Sequence, residues 1–176
     1  MLPLARLAPP SRRSRMTTRL ALQLAVLAAA GCTGGSGPRP IVLGEDSCAF
    51  CRMAITDVRY GGEVRTATGR VHTFDAVECL AGFVAAAGDS ARFDGVWVSD
   101  FEGGPMLDAR TALYVQGGSL HSPMGRQISA FAPAHDAREL VERFGGTVLR
   151  WQEVVAQAAT VPHGSGADSA TGPHAH

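Results

Sequence analysis

The first 31 residues most constrain what this chain can fold into, because they have the pattern of an export signal rather than of a domain. They contain five arginines and no acidic residue, and they end in an apolar run over residues 20–31. That run is shorter than the ~20 residues of a membrane-spanning helix. The small residues Ala29, Ala30 and Gly31 directly precede Cys32, which predicts a bacterial lipoprotein signal, residues 1–31, with lipid attached to Cys32. An ordinary exported protein cleaved near Gly31 is the alternative.

The two ends of the remaining chain are poor in large apolar side chains. The composition of residues 32–40 predicts a lipidated cysteine followed by a flexible tether. The composition of residues 158–176 predicts a disordered tail that contains histidines. All 16 acidic residues follow Cys32, whereas the leader takes five of the 16 arginines, so the exported part is acidic and a nucleic-acid partner is not expected. Residues 41–157 remain as the folded part, enough for one domain with a modest core.

The first half of this domain, residues 41–95, has a ββα pattern. Two short apolar alternations over 63–67 and 71–74 flank a glycine-containing turn and predict a β-hairpin. Asp75, with Glu78 three residues later, predicts a capping box at the start of a helix that ends at Gly88.

The second half, residues 96–157, repeats this rhythm. We predict strands over 96–99, 128–131 and 147–151, a short helix over 109–114 capped by Asp108, and a longer helix over 136–144. The similar segments VHTFDA and PMLDA indicate a degenerate internal duplication. The expected fold class is therefore α+β, with two small repeated ββα-type lobes and helices on one face of the sheets.

The stretch SCAFCRM contains a Cys-x-x-Cys pair, Cys48 and Cys51, followed closely by Met53. The spacing fits a structural disulfide, a redox centre, a zinc site or a site for a softer metal. A thioredoxin-like pair needs a helix start after a central strand, and no strong strand pattern precedes Cys48. Zinc usually needs a second Cys-x-x-Cys or a His-x-x-x-His pair, which the sequence lacks. These two readings are therefore less favoured than the disulfide and the softer metal.

Met53 favours the softer metal. A thioether is a poor zinc ligand but suits Cu(I), and it cannot be lost to a disulfide. In an extended segment, Cys51 and Met53 would point to the same side. A core methionine packed against Ile55 is the simpler interpretation of Met53.

Other soft or nitrogen donors lie further along the chain. Met124 lies in the turn sequence Ser-Pro-Met-Gly, where a large apolar side chain has little packing reason to be, and His121 is three residues away. Cys79 falls on the apolar face of the predicted helix, as a core residue, a third metal ligand or a disulfide partner. The tail histidines His163, His174 and His176 have two interpretations: they bind metal weakly, or they have no role in metal binding. No nucleophile with a base and an orienting partner is evident, so we do not expect an enzyme.

The chain resembles the NosL family of copper-binding lipoproteins, accessory factors in the assembly of the copper centres of nitrous oxide reductase. The similar segments, in family order, are EDSCAFCRMAITD, GRVHTFDAVECL, WVSDFEGGPMLDARTALYVQGG, SPMGRQISAF and FGGTVLRW. The resemblance implies a two-lobed α+β fold and a Cu(I) site. By position, Cys51 and Met53 match the family's Cys-x-Met motif and Met124 matches the methionine of its Pro-Met-Gly turn. Cys48 matches a position where some members have another residue.

The sequence thus predicts a Cu(I) metallochaperone, lipid-anchored to a membrane of the bacterial cell envelope and facing the periplasm or exterior. Cys51 and Met53 would hold the ion, with Cys48, Met124 or His121 in a third position. Its expected partners are a copper donor protein and an exported copper enzyme, such as nitrous oxide reductase. The alternatives are a thiol-disulfide oxidoreductase or redox-protected adaptor that uses Cys48 and Cys51, and a lipoprotein scaffold with a structural disulfide.

Overall fold

The computed structural model describes residues 37–160. The leader, Cys32 and the three tail histidines lie outside this range, and the predictions made for them stay predictions. Within residues 37–160, no helix combines the length and the apolar character needed to cross a membrane.

The first sheet has four antiparallel strands in the order β2-β1-β3-β4. Strands β1 (Gly62–Thr66) and β2 (Val71–Phe74) form the predicted hairpin. Strand β3 (Phe93–Val98) pairs with the other edge of β1, and the short β4 (Leu107–Asp108) extends the sheet. The central strand β1 is thus paired on both sides, which fixes its direction and register.

The second sheet has three antiparallel strands in the order β6-β5-β7, formed by β5 (Leu113–Gln116), β6 (Ile128–Phe131) and β7 (Thr147–Leu149). The predicted helix over 109–114 is wrong, because Leu113 and Tyr114 belong to the central strand of this sheet. Hydrogen bonds to two neighbouring strands outweigh a single helical turn in this aromatic and β-branched segment. Asp108 closes a turn instead, accepting the N–H of Arg110 at 2.8 Å.

Three α-helices pack on these sheets: α1 (Val77–Ala87), α2 (Ala137–Phe144) and α3 (Trp151–Ala159). Asp136 is the N-cap of α2 and accepts the N–H of Arg138 at 2.7 Å. The capping box predicted for α1 is wrong: its N-cap is Ala76, and no side chain caps it. Helix α3 reaches Ala159, inside the segment predicted as a tail.

The main core joins both sheets to α1 and α3. Its members include Val64 and Phe74 from the first sheet, Leu80 from α1, and Tyr114 and Trp151 from the second half of the chain. Burying side chains of this size stabilises the fold by roughly 1.5–3 kcal/mol each. The predicted α+β class is confirmed, with two antiparallel sheets that share one core. This core holds the start of α1 rigidly beneath the cysteine-rich loop.

A close approach near Gly118 generates a stability prediction. Gly118 has a φ of 65°, and a Cβ there would overlap the carbonyl oxygen of Phe144. We expect Gly118→Ala to lower the free energy of unfolding by about 3 kcal/mol, because backbone strain and a backbone clash add together. Gly69 is a matched control, since its φ is 82° but nothing lies within 4 Å of an added Cβ. Gly69→Ala should cost only about 1 kcal/mol. Equal losses in chemical denaturation would contradict this account.

Candidate metal centre

The cysteine-rich loop folds back on itself as a tight hairpin. The N–H of Cys48 donates to the carbonyl of Met53 at 2.9 Å, and the N–H of Arg52 donates to the carbonyl of Cys48 at 3.0 Å. Arg52 has a positive φ of 66°. The extended conformation assumed from the sequence for Cys51 and Met53 is therefore wrong, because the chain turns at Arg52. The two side chains enter different surroundings: Cys51 is half-buried, while Met53 is 51% exposed.

Two hydrogen bonds fasten this hairpin to β2. The N–H of Ala49 donates to the carbonyl of Thr73 at 2.8 Å. The hydroxyl of Thr73 donates to the carbonyl of Ser47 at 3.0 Å. Because β2 leads directly into α1, the hairpin is held against the junction between that strand and that helix.

Four potential metal donors meet at this junction. The Sγ atoms of Cys48, Cys51 and Cys79 and a carboxylate oxygen of Asp75 all lie within 4.8 Å of one another. We call these residues the thiol cluster. A metal with four ligands at about 2.3 Å places its sulfur atoms about 3.8 Å apart, so the cluster needs only a small contraction to surround one ion. All three cysteines are free thiols.

Most of the thiol cluster is shielded from solvent. Cys48 and Cys79 are each 2% exposed and Asp75 is 1% exposed, whereas Cys51 is only half-buried. The thiol of Cys51 donates to Asp75 Oδ1 at 3.6 Å. Asp75 Oδ2 is buried and has no hydrogen-bond partner among the described residues. A buried carboxylate oxygen without a partner is costly, and a cation beside it would remove that cost.

The three thiols differ in their acidity. Hydrogen bonding from the thiol of Cys79, aided by the backbone of Asp75 and Cys51, outweighs burial and lowers the pKa of Cys48 to about 6. Burial raises the pKa of Cys51 to about 11, and the hydrogen bond to Cys48, followed by burial, raises the pKa of Cys79. At neutral pH these shifts favour the thiolate form on Cys48 and the protonated form on Cys51 and Cys79. A metal that takes all three sulfurs displaces the two remaining protons.

The other sequence-predicted donors lie outside this four-donor group. Met124 is 38% exposed and lines a cleft of about 240 Å³ that also reaches Phe50 and Cys79. Met124 thus shares a cleft with one member of the thiol cluster. His121 is exposed, and its Nδ1 lies 2.8 Å from the carbonyl oxygen of Ser119. The structure thus brings Cys48 and Cys51 together and leaves Met53 at the surface. His121 makes its contact within its own loop, with Ser119.

Sequence reasoning missed Asp75 and left Cys79 open. Asp75 was assigned to a helix cap, and a carboxylate just before a helix has the same sequence signature whether it caps the helix or faces a metal. Zinc was disfavoured for lack of a second ligand pair, but Asp75 and Cys79 supply two further donors. The sequence does contain one indication that Asp75 and Cys79 lie close together. Both fall within five residues directly after a predicted strand, which places their side chains at the same edge of the sheet.

Known proteins resemble this chain both in sequence and in structure. The model of the NosL family matches residues 41–159. A curated relative, the copper-binding lipoprotein NosL of Stutzerimonas stutzeri, is 30% identical over 169 residues, covering 84% of this chain and 88% of that protein. The crystal structure of the copper chaperone NosL from Shewanella denitrificans aligns with a TM-score of 0.57 and 27% identity, covering 66% of this chain and 95% of that one. Neither relative is named as an enzyme, in agreement with the sequence-based expectation.

The acidity of the thiols can be tested in reduced, metal-free protein by following the ultraviolet absorbance of thiolates against pH. We expect one thiol to ionise near the pKa of about 6 that hydrogen bonding gives Cys48. That step should vanish in Cys48→Ser. It should move to higher pH in Cys79→Ala, because the thiol that donates to Cys48 is lost. A low-pH step that survives Cys48→Ser, or does not move in Cys79→Ala, would contradict the assignment.

Proposed function

We propose that this chain, which belongs to the NosL family, is a Cu(I)-binding metallochaperone. The observation that carries the proposal is the thiol cluster, in which three free cysteines converge within 4.8 Å and one of them remains half-exposed. The relatives named as a copper-binding lipoprotein and a copper chaperone support copper as the cargo.

The donor set favours the monovalent ion. Cu(I) is soft and stable with two or three sulfur ligands, so Cys48, Cys51 and Cys79 can satisfy it without the oxygen of Asp75. A divalent ion such as Zn²⁺ would use all four donors in a tetrahedral site. Soft thiolate and thioether ligands are also the ones that select Cu(I). We therefore infer that Cu(I) is the ion this site carries.

The arrangement suits a carrier better than a closed store. Cys48 and Cys79 are buried and provide the inner side of the site, while Cys51 is accessible. The exposed thioethers of Met53 and Met124 are neutral and weaker ligands, placed where an incoming donor can displace them. We propose Cys51 and Met53 as the exchanging side, with Cys48, Met124 or His121 completing the coordination as predicted from the sequence. Cys79 joins this set because its sulfur lies within the cluster.

The proposed setting is the bacterial cell envelope. The leader and Cys32 support a lipid anchor, with the folded domain facing the periplasm or exterior, and one relative is named as a lipoprotein. Such a carrier needs a copper donor protein and a copper-accepting enzyme, with nitrous oxide reductase as the proposed recipient from the family resemblance.

The geometry argues against the alternative of a thiol-disulfide oxidoreductase. Such an enzyme needs a thiol that is both acidic and accessible. Here those two properties lie on different residues: hydrogen bonding lowers the pKa of Cys48, which is buried, whereas burial raises the pKa of the half-exposed Cys51 to about 11. The pair also lies in a turn rather than at a helix start.

Anaerobic titration with Cu(I) against a competing chelator tests the function. We expect Cys51→Ala and Cys79→Ala to weaken binding by about 100-fold, and Met53→Leu by about tenfold, because a thiolate binds Cu(I) more strongly than a thioether. Met106→Leu is a matched control that removes a thioether outside the proposed site and should leave the affinity unchanged. Unchanged affinity in both Cys51→Ala and Met53→Ala would contradict the copper function.

The oxidoreductase alternative makes the opposite prediction for the same variants. If it is correct, disulfide exchange with oxidised glutathione will depend on Cys48 and Cys51 and be indifferent to Met53→Leu. We expect exchange by the metal-free protein to be slow, because the acidic thiol is buried. Rapid exchange together with weak Cu(I) binding would favour the alternative.

A further inference from the structure

The turn that carries Met124 is fastened to the start of α1 by one buried carboxylate. Glu78 Oε1 accepts one hydrogen bond from the hydroxyl of Ser122 and a second, at 3.2 Å, from the N–H of Arg126. The hydroxyl of Ser122 in turn accepts the N–H of Gln127 at 2.9 Å. Glu78 therefore holds both ends of the segment from Ser122 to Arg126, and it is the residue directly before Cys79.

The geometry of this segment places Met124 at its tip. The N–H of Gly125 donates to the carbonyl of Ser122 at 3.1 Å, which closes a β-turn with Pro123 and Met124 in its two central positions. Gly125 has a φ of 77° and Gln127 a φ of 59°, so the chain reverses tightly on this side. The side chain of Met124 lines the cleft that extends to Cys79.

Further contacts hold the far end of the turn more loosely. The guanidinium of Arg126 lies 3.4 Å from the carbonyl oxygen of Gln157 in α3. The side-chain amide of Gln116 donates to the carbonyl of Arg126 at 3.4 Å. Both contacts are long for hydrogen bonds, and both act on Arg126 only. The link through Ser122 and Glu78 is what joins both ends of the turn to α1.

Keeping Glu78 in this position costs stability. The residue is 7% exposed, burial raises its pKa, and Oε2 has no hydrogen-bond partner among the described residues. A buried carboxyl oxygen without a hydrogen-bond partner is unfavourable in an interior. Capping of α1 does not explain it, because the N-cap Ala76 receives no side-chain hydrogen bond. The feature that Glu78 does account for is the position of the Met124 turn.

We propose that Glu78 is a positioning residue that holds the thioether of Met124 over the cleft leading to Cys79, where it can contact an ion bound by the thiol cluster. This inference rests on the proposed Cu(I) function for the role of Met124. Glu78 holds the turn whether or not metal is bound. The position of the turn and its role in metal binding can therefore be tested separately.

The first test uses metal-free full-length protein with ¹³C-labelled methionine methyl groups, observed by NMR. The Met124 methyl resonance is assigned by its loss in Met124→Leu. We expect Glu78→Ala to increase the motion of this methyl group, and Glu78→Gln to leave it ordered, because the amide oxygen can accept the same two hydrogen bonds. Glu63→Ala is a control for the loss of another fully buried glutamate, in β1, and should not affect Met124.

Should Glu78→Ala fail to fold, Ser122→Ala removes the Ser122 half of the link while keeping the carboxylate and its bond to the Arg126 N–H, and it should also release the methyl group, to a smaller extent. An ordered Met124 methyl in the folded variant that lacks the link would overturn the proposal. Equal mobilisation by Glu63→Ala would overturn it as well, because the effect would then reflect general loosening of the fold.

The second test measures Cu(I) affinity in a double-mutant cycle. We expect Met124→Leu and Glu78→Ala each to weaken binding about tenfold, and the double variant to lose no more than either alone, because both act through the same thioether. Glu78→Gln should bind like the unmodified chain. Fully additive losses, or no loss in Met124→Leu, would overturn the role of Glu78 in metal binding. If the unmodified chain binds no Cu(I), the copper function and this metal role both fail, and the methyl measurement alone decides whether Glu78 fixes the turn.

Discussion

The pair of hydrogen bonds between the cysteine hairpin and β2 is the interaction on which the rest of the site depends. The N–H of Ala49 and the hydroxyl of Thr73 make these bonds, at 2.8 and 3.0 Å. They join a loop near residue 50 to a strand-to-helix junction about 25 residues later, where Cys79 is already fixed by the packing of α1. They therefore set the position of Cys48 and Cys51 relative to Asp75 and Cys79.

The resulting site divides its donors by accessibility. The inner sulfurs of Cys48 and Cys79 are buried, and hydrogen bonding from the Cys79 thiol lowers the pKa of Cys48 in a place that solvent hardly reaches. Cys51 and the thioether of Met53 face outward. Asp75 and Glu78 each keep one buried oxygen that has no partner within residues 37–160, which costs stability that the core shared between the two sheets offsets. Such a balance is typical of sites selected for function.

Local sequence patterns predicted much of the fold but only part of the site. The first hairpin, the strand over 128–131 and the helix over 136–144 follow from periodicity and turn chemistry, and the structure confirms them. The helix over 109–114 failed because pairing with distant strands overrides weak local propensity. Asp75 was not identified as a neighbour of Cys48, and Cys79 was only one of three alternatives, since their proximity depends on tertiary contacts that no local spacing records. For the methionines the sequence indicates the chemistry but not the position. A thioether favours copper, whereas only the fold decides which methionine faces the thiols.

The central claim is that this domain holds Cu(I) mainly through cysteine sulfur. X-ray absorption spectroscopy at the copper edge, on protein loaded anaerobically with one equivalent of Cu(I), tests it most directly because it reports oxidation state and ligand type together. The account predicts monovalent copper with a low-coordinate shell dominated by sulfur, and loss of sulfur scattering in Cys79→Ala. A shell dominated by nitrogen or oxygen, or a spectrum unchanged by removal of Cys79, would contradict it.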